Sequence, residues 1–292
     1  MMMNQSDSPL FIKLQPRMSD FFSQVPSEIV VNVLSFLPAK DLCSISLVNK
    51  NLWSFIQDDY VWQSICINQF PVNYVSEELN KMIAEEYASR GSNSEEQPVN
   101  IINKKLYKRL SRHISFMAKE RRITWLDIQQ GGGNYHHWRT LEDSQSEFGK
   151  IVFLDNVWWF DVMSTLKAVL PGIYDIVWRL KIKSENDIHD LNFSATVVEK
   201  IEDGNEEMTI HEYNHTPQRS MFSSIARKKD WVEYRLPYNL VVPEREVIGD
   251  KLVYHDVHLK IFNYSGFLKT GLWIDYVRLR EHDESRVYER FE

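Results

Sequence analysis

The chain has only two cysteines in 292 residues, no glycine before Gly91, and no uninterrupted apolar run of membrane-spanning length. Each shortage excludes something. Cys43 and Cys66 both lie in the first quarter of the chain, and two thiols build neither a disulfide framework nor a four-thiolate metal site. The longest apolar stretch, IVFLDNVWWFDVM, is broken by Asp155, Asn156 and Asp161, well short of the roughly 18 residues a membrane helix needs. Basic charge is scarce too. The net charge is -7, whereas general nucleic-acid binding rests on a basic surface, so neither a nucleic acid nor a membrane is an expected partner. The opening MMMNQSDSPLFIKLQPRM has no basic start followed by an apolar stretch, which points to the cytosol or nucleus. What is present, 43% hydrophobic and 26% charged residues, is the composition of a globular protein.

Glycine divides the chain: nine of the ten lie at or after Gly131, where strand-linking turns favour a residue tolerant of positive φ. The first part is therefore expected to be helical and the second β-rich. SEIVVNVLSFLP carries Ile29, Val30, Val33, Leu34 and Leu37 at helical spacing, with Ser27 as a start signal and Pro38 as a stop. A second helix opens at Asp41 with Leu42, Ile45 and Val48. Leu52, Trp53 and Ile56 follow, and after Asp58 and Asp59 come Val61, Trp62 and Ile65. A bundle of about 45 residues buries too small a core to stand comfortably alone.

The stretch VPSEIVVNVLSFLPAKDLCSISLVNKNLWSFIQDDYVW resembles the F-box, the module that docks substrate receptors onto the Skp adaptor of cullin-type ubiquitin ligases. The match runs from Val25 to about Ile67 and includes Pro26, Leu34 to Pro38, Asp41-Leu42, Val48-Asn49-Lys50, Trp53 and Trp62. Val25 replaces the usual Leu, and Asn49 stands where Cys or Ser is commoner. The resemblance implies an adaptor-binding surface made by Val25, Pro26, Ile29, Val33, Leu34, Leu37, Pro38, Leu42, Val48 and Trp53.

Beyond it, Leu79, Met82, Ile83 and Tyr87 are spaced for a helix that Gly91 would stop, and SNSEEQP reads as an exposed loop. Ile102, Leu106, Leu110, Ile114 and Met117 suggest one more helix. Lys104 to Arg122 holds eight Lys/Arg against one Glu, either a face for an acidic partner or a solvated helix face joining two domains.

From Ile123 the period becomes two. In GIYDIVWRLKI, Tyr174, Ile176, Trp178, Leu180 and Ile182 share a face opposite Asp175, Arg179 and Lys181, which predicts an amphipathic strand. LNFSATVVEKI, WVEYRLPY, LVYHDVHLKIFNY and TGLWIDYVRLR behave alike. They are separated by EDGNEE, a polar Ser/Arg/Lys stretch and a turn at Tyr264-Ser265-Gly266. Strands without intervening amphipathic helices imply an antiparallel sandwich or barrel.

The order of features here is similar to the phloem-lectin (phloem protein 2) family, a carbohydrate-binding β-sandwich. The resemblance rests on Ile123-Thr124-Trp125, Tyr135, Trp138-Arg139, Val157-Trp158, Leu170-Pro171-Gly172 with Tyr174, Asp230 to Glu233, and Lys269 to Leu272 with Ile274 and Val277. Gly131 to Gly133 lengthen the stretch between Trp125 and Trp138 relative to the family pattern. It implies a jelly-roll-like sandwich and a shallow site for glycans containing N-acetylglucosamine. Trp178 is read as core, with Trp158, Trp231 and Trp273. Trp125, Tyr135 and Trp138 flank a Gly-rich loop and are the candidate ligand residues, because an aromatic face suits the apolar face of a pyranose.

Catalysis finds little support. A glycosidase needs two carboxylates across a cleft, and no signature pairs any. His136-His137, His211 with His215, and His255 with His258 lack an accompanying carboxylate or Cys motif, and residues three apart in a strand face opposite ways. Gly131 to Gly133 lack the Lys-Ser/Thr of a phosphate loop. No metal, cofactor or catalytic residue is expected. The expected layout is a flexible segment over residues 1–20, the F-box over 21–67, a helical linker over 68–118 with a loop near 91–98, the sandwich over 119–282 and a tail over 283–292. The functional expectation is a substrate-recognition subunit of a Skp-cullin-F-box ligase, its sandwich binding a glycan or protein target. The alternative is a binding module whose F-box meets the adaptor without a degradative role.

Overall fold

The computed structural model describes residues 25–37, 39–90, 103–116, 137–184, 188, 191–202, 204, 206–249 and 251–283. Expectations for residues 1–20, for the loop near 91–98, for the Gly131 to Gly133 stretch and for most of the tail fall outside them. The described residues form two compact units. One runs to Gln69 and takes back the chain through Tyr107; the other begins at Phe70 and resumes at Lys108.

The first unit is a helical bundle of α1 (Ser27–Ser35), α2 (Ala39–Val48), α3 (Lys50–Gln57) and α4 (Asp59–Gln69), closed by the start of α6 (Asn103–Leu110). Its core is Val30, Val31, Leu34, Leu42, Leu52, Ile56, Val61, Trp62 and Ile65. Pro26, not Ser27, stands at the N-cap of α1, and no side chain caps that helix. Asn49 caps α3: its Oδ1 accepts from the backbone N–H of Asn51 at 2.8 Å and of Leu52 at 3.2 Å, the job for which a short polar side chain is preferred there. Asp58 does the same for Tyr60. Asp59 holds α6 through the backbone N–H of Asn103 at 2.6 Å and its side-chain amide at 2.7 Å, while the Tyr107 ring lies 5.4 Å from that of Trp62. Burial, with Asp59 nearby, pushes the Cys66 thiol up to about 12, which keeps it protonated and inert.

The second unit carries α5 (Val72–Arg90), the end of α6, α7 (Arg219–Lys228) and two antiparallel sheets. The strands are β1 (Ile114–Phe116), β2 (Trp138–Glu142), β3 (Lys150–Leu154), β4 (Phe160–Val169), β5 (Gly172–Ile182), β6 (Asn192–Ile201), β7 (Glu207–His215), β8 (Val232–Val242), β9 (Val247–Ile248), β10 (Lys251–Asn263) and β11 (Leu272–Glu281). One sheet is ordered β2-β3-β11-β5-β8 with β1 on β11; the other is β4-β10-β6-β7 with β9 on β10. From β3 onward the chain crosses repeatedly between sheets, so that β3-β11-β5-β8 faces β4-β10-β6-β7, the wiring of a jelly roll. Their inner faces meet in one core that includes Trp138, Phe160, Tyr174, Ile176, Trp178, Leu180, Phe193, Leu259 and Ile274. The β5 alternation read from the sequence is the buried one.

Two elements depart from expectation. The helix read through Ile114 and Met117 stops at Leu110, and Ile114–Phe116 instead pair with Arg278 to Tyr276 of β11. The reason is an open edge: β3 covers β11 only along Leu272 to Ile274, and the β-branched Ile114 suits the vacant length. The polar Ser/Arg/Lys stretch is α7, which buries Met221, Phe222, Ile225 and Ala226 and ends at Lys229 with φ of 51°. Of the described residues in the basic stripe, Lys105, Lys108 and Arg112 are exposed, and three basic side chains have partners. Arg109 pairs with Glu78 and Glu85, Arg112 pairs with Glu147, and Lys104 lies over Trp62.

β4 ends in a strained turn of chain. Ala168 has φ of 47°; its N–H donates to Asp256 Oδ1 at 2.8 Å and its carbonyl accepts from Arg245 at 2.8 Å, which is how a left-handed non-glycine residue is held in place. Close by in sequence, Leu170 N–H donates to His113 Nε2 at 3.3 Å, and the His113 ring stands edge-on to Tyr174. Burial, with the Arg245 charge as a second cause, pulls His113 down to about 4. The folded protein thus holds this imidazole neutral while the unfolded chain protonates it near its ordinary value. The resulting stability is fully present above about pH 6.5 and is lost as pH falls from there through about 4. A shift of this size corresponds to about 3 kcal/mol. Denaturant midpoints measured for this unit at pH 7 and pH 4.5 should differ, and His113→Phe should remove the His113 share of the difference, leaving that of His215 and His255, which burial also lowers; an unchanged pH dependence in that variant would refute the assignment.

Candidate functional site

Two surfaces, one in each unit, carry apolar groups that the fold leaves outside. On α1 the apolar residues divide in two. Val30, Val31 and Leu34 point into the bundle, while Ile29 (54% exposed), Val33 (60% exposed) and Phe36 form a second stripe outside. Leu47 and Trp53 are exposed as well. Of the sequence-named adaptor residues, Ile29, Val33, Trp53 and Pro26 are exposed, Val25 and Leu37 are half-buried, and Leu34 and Leu42 are core. Leu34 and Leu42 thus support the surface from behind. Pro38 and the Val48 side chain lie outside what the structure describes.

The second surface is at one end of the sandwich, where the β3–β4 and β10–β11 connections run side by side. Val157 and Lys269 form a backbone bridge, with N–H···O distances of 2.9 and 2.7 Å in the two directions. The Lys269 side chain is 1% exposed, and its ammonium donates to the carbonyls of Trp158 and Ser265, tying the two loops. Gly271 adopts φ of 68°, which lets its N–H reach Leu154 while its carbonyl accepts from Lys183. Outside this clasp stand Trp158 (62% exposed), Trp159 (43% exposed), Tyr264, Phe267 and Leu268. β2 begins at the same end: Asp155 N–H donates to the His137 carbonyl, and His137 Nδ1 is 2.7 Å from the carbonyl of Asn156.

The sequence-named ligand residues fare differently. Trp125 and Tyr135 lie outside the described residues. Trp138 is 0% exposed, its ring edge-on to Phe160 at 5.6 Å, so it fills the core and offers no face to a ligand. Trp158, read from the sequence as core, is the exposed one. The doublet Trp158-Trp159 was the missed signal. Strand alternation puts the two rings on opposite sides, but here both lie in a connection that ends only at Phe160, and neither has to be inside. Trp231 and Trp273 are half-buried on the outer face of the first sheet, not in the core. There Arg139, Phe153, Trp273 and Lys181 form one row across β2, β3, β11 and β5, with Phe153 and Trp273 at 4.6 Å and the two cations over the rings. Below that row Asp275 is fully buried and bonded to Arg179 and Ser146; burial outweighs these partners and raises its carboxyl above the usual range.

Comparison with known proteins bears on both surfaces. A family model described as F-box-like matches residues 22–68, and that of Phloem protein 2 matches residues 111–281. Among curated proteins, F-box protein PP2-A15 of Arabidopsis thaliana is 20% identical over 186 residues, 61% of this chain and 58% of that protein. F-box protein PP2-B1 of the same plant is 27% identical over 149 residues, 50% of this chain and 42% of that protein. The chain thus spans about half the length of the curated relatives it matches. Among solved structures, a family 35 carbohydrate binding module from Clostridium thermocellum overlaps 57% of this chain and 96% of its own, at 11% identity and a TM-score of 0.28. With a helical bundle under the first match and a jelly-roll sandwich under the second, which takes in more than half of the sequence, the chain belongs to the Phloem protein 2 family and carries an F-box-like segment ahead of that domain.

Proposed function

We propose that the chain is a non-catalytic substrate receptor of a Skp-cullin-F-box ubiquitin ligase: the helical bundle docks the adaptor and the sandwich binds the protein to be ubiquitinated, through a glycan it carries. One observation supports this above the others. The bundle already has a filled core, and yet α1 presents Ile29, Val33 and Phe36 as a second apolar stripe, the kind of surface that marks a protein interface. Catalysis by the assembly is then proximity between a bound target and a charged ubiquitin carrier. The relatives named as F-box proteins of the phloem protein 2 groups support the same reading. No helix among the described residues is long and apolar enough to cross a membrane.

Co-purification tests the reading. The full chain, expressed in its own cells, should bring down both a Skp-type adaptor and a cullin. Adaptor without cullin would replace the ligase role by adaptor binding alone, and recovery of neither would overturn the proposal.

A further inference from the structure

The strands on the outer face of the first sheet carry a surplus of positive charge, in a chain whose net charge is -7. Most of these cations are spent inside the protein. Arg139 is held by Asp155 at 2.7 Å, Arg179 by Asp275 at 2.6 Å and Arg235 by Asp175 at 2.7 Å, while Arg278 and Arg280 share Glu233. Lys181 and Lys183 are not. Neither has an anionic partner among the described residues. Both belong to the outer side of β5, because the Lys183 N–H donates to the Gly271 carbonyl and so prolongs the strand's pairing and its alternation. Lys181 also ends the row that begins at Arg139. Between them the Phe153 and Trp273 rings stand 4.6 Å apart, with Arg139 5.4 Å from the Phe153 centroid and Lys181 5.9 Å from that of Trp273.

That stacking decides what the row accepts. A nucleic acid or a sugar docks by laying a base or a pyranose on an open aromatic face. Here each ring has one face against the other ring and the second under a cation, and the neighbouring Trp231 lies under Arg179 at 5.0 Å. A bilayer takes up protruding apolar groups, whereas Phe153 and Trp273 are half-buried. What stays available is hydrogen-bonding charge at both ends and apolar ring surface between. The Lys181 ammonium has three donors, and Asp155 engages only two of the five on Arg139. Carboxylates answer the ends, and an aliphatic side chain answers the middle.

Spacing then decides the form of the partner. From β2 through β3 and β11 to β5 the row crosses three strand intervals, roughly 14 Å. In an extended peptide, residues i and i+4 point the same way about 13 Å apart, with i+2 between them. In a helix the same two residues are separated by only about 6 Å along the axis.

We infer that Arg139, Phe153, Trp273, Lys181 and Lys183 form a docking surface for an extended acidic segment of a partner protein, with carboxylates at i and i+4 and an aliphatic residue at i+2. Lys183, about 7 Å beyond Lys181 on the same strand face, strengthens the lysine end. The inference goes beyond the receptor proposal, since it gives the sandwich a contact with polypeptide apart from any glycan.

The probe is a fluorescein-labelled peptide containing Glu-Ser-Leu-Ser-Glu, titrated with the full chain and followed by fluorescence anisotropy. It should bind, and less tightly as salt is raised. The Gln-Ser-Leu-Ser-Gln peptide should bind about tenfold more weakly, and one with the two Glu adjacent about threefold. The double variant Lys181→Glu/Lys183→Glu should lose about tenfold or more for the Glu peptide, with an unchanged unfolding midpoint. Should it fail to fold, Lys181→Gln/Lys183→Gln should lose about threefold. Lys40→Glu/Lys251→Glu makes the same change in net charge on the helical bundle and the second sheet, and should bind as wild type does. Equal binding of the Glu and Gln peptides, undiminished binding by the folded Lys181/Lys183 variant, or an equal loss in the Lys40/Lys251 variant would overturn the assignment. So would capture of a single-stranded oligonucleotide or a phosphatidylserine vesicle in place of the Glu peptide. The titration needs neither adaptor nor cullin, so it fails or holds separately from the co-purification that tests the receptor proposal.

Discussion

The paired substitutions Ile29→Asp and Val33→Asp are expected to lower adaptor affinity about a thousandfold while the bundle stays folded. Both side chains are more than half exposed in the chain alone, so replacing them should change its own stability by no more than about 0.5 kcal/mol. Covered by a partner, each would contribute about 2 kcal/mol of apolar burial, and the two together make about three decades in the dissociation constant. Aspartate adds a desolvation cost to the loss of contact. Leu34→Asp reads out something else. Leu34 is 4% exposed, and a charge forced into the bundle core should unfold it, so its loss of binding would say nothing about the interface. Calorimetric titration with purified adaptor, beside helical circular dichroism of each variant, distinguishes these cases. Full affinity in the folded Ile29/Val33 double variant would refute the docking face.

The same helix shows how far the sequence could be read. Its spacing placed Ile29, Val30, Val33, Leu34 and Leu37 on one apolar arc; the first four are on the helix, which ends at Ser35 and leaves Leu37 beyond it. What periodicity could not divide was the arc itself, because a bundle core and a partner interface call for the same residue types, and only the position of α4 decides which half is inside. In the sandwich, alternation found β5, β6, β8, β10 and β11, where one face is buried along most of the strand. It missed α7, whose four buried residues Met221, Phe222, Ile225 and Ala226 are interspersed with Ser, Arg and Lys, and it carried α6 too far, since Ile114 and Phe116 suit either a helix or the free edge of β11. Tryptophan defeated it in both directions. Composition gives the residue type most favoured for a core and for a ligand platform, and the sequence carries no sign that Val157 and Phe160 are the anchored positions around an exposed pair.

Two tryptophans twenty residues apart should therefore behave oppositely. Trp138→Ala is expected to cost about 3–5 kcal/mol, the range for emptying a large aromatic site in a core, and Trp158→Ala no more than about 0.5 kcal/mol. The local reason for the first is strong. Among the described residues β2 pairs with β3 alone, and Trp138 is its one fully buried residue, so that ring is the strand's main anchor in the core. Its Nε1 has no hydrogen-bond partner among the described residues. Trp138→Phe accordingly gives up some packed volume and no hydrogen bond, and should cost about 1–2 kcal/mol. Denaturant unfolding of the full chain, followed by β-sheet circular dichroism and by fluorescence so that the two units are not mistaken for one transition, measures all three. Any loss of sugar binding in Trp138→Ala should track its loss of fold and be restored in Trp138→Phe. A Trp138→Ala variant as stable as the parent but unable to bind sugar would put that ring in the ligand site and not in the core.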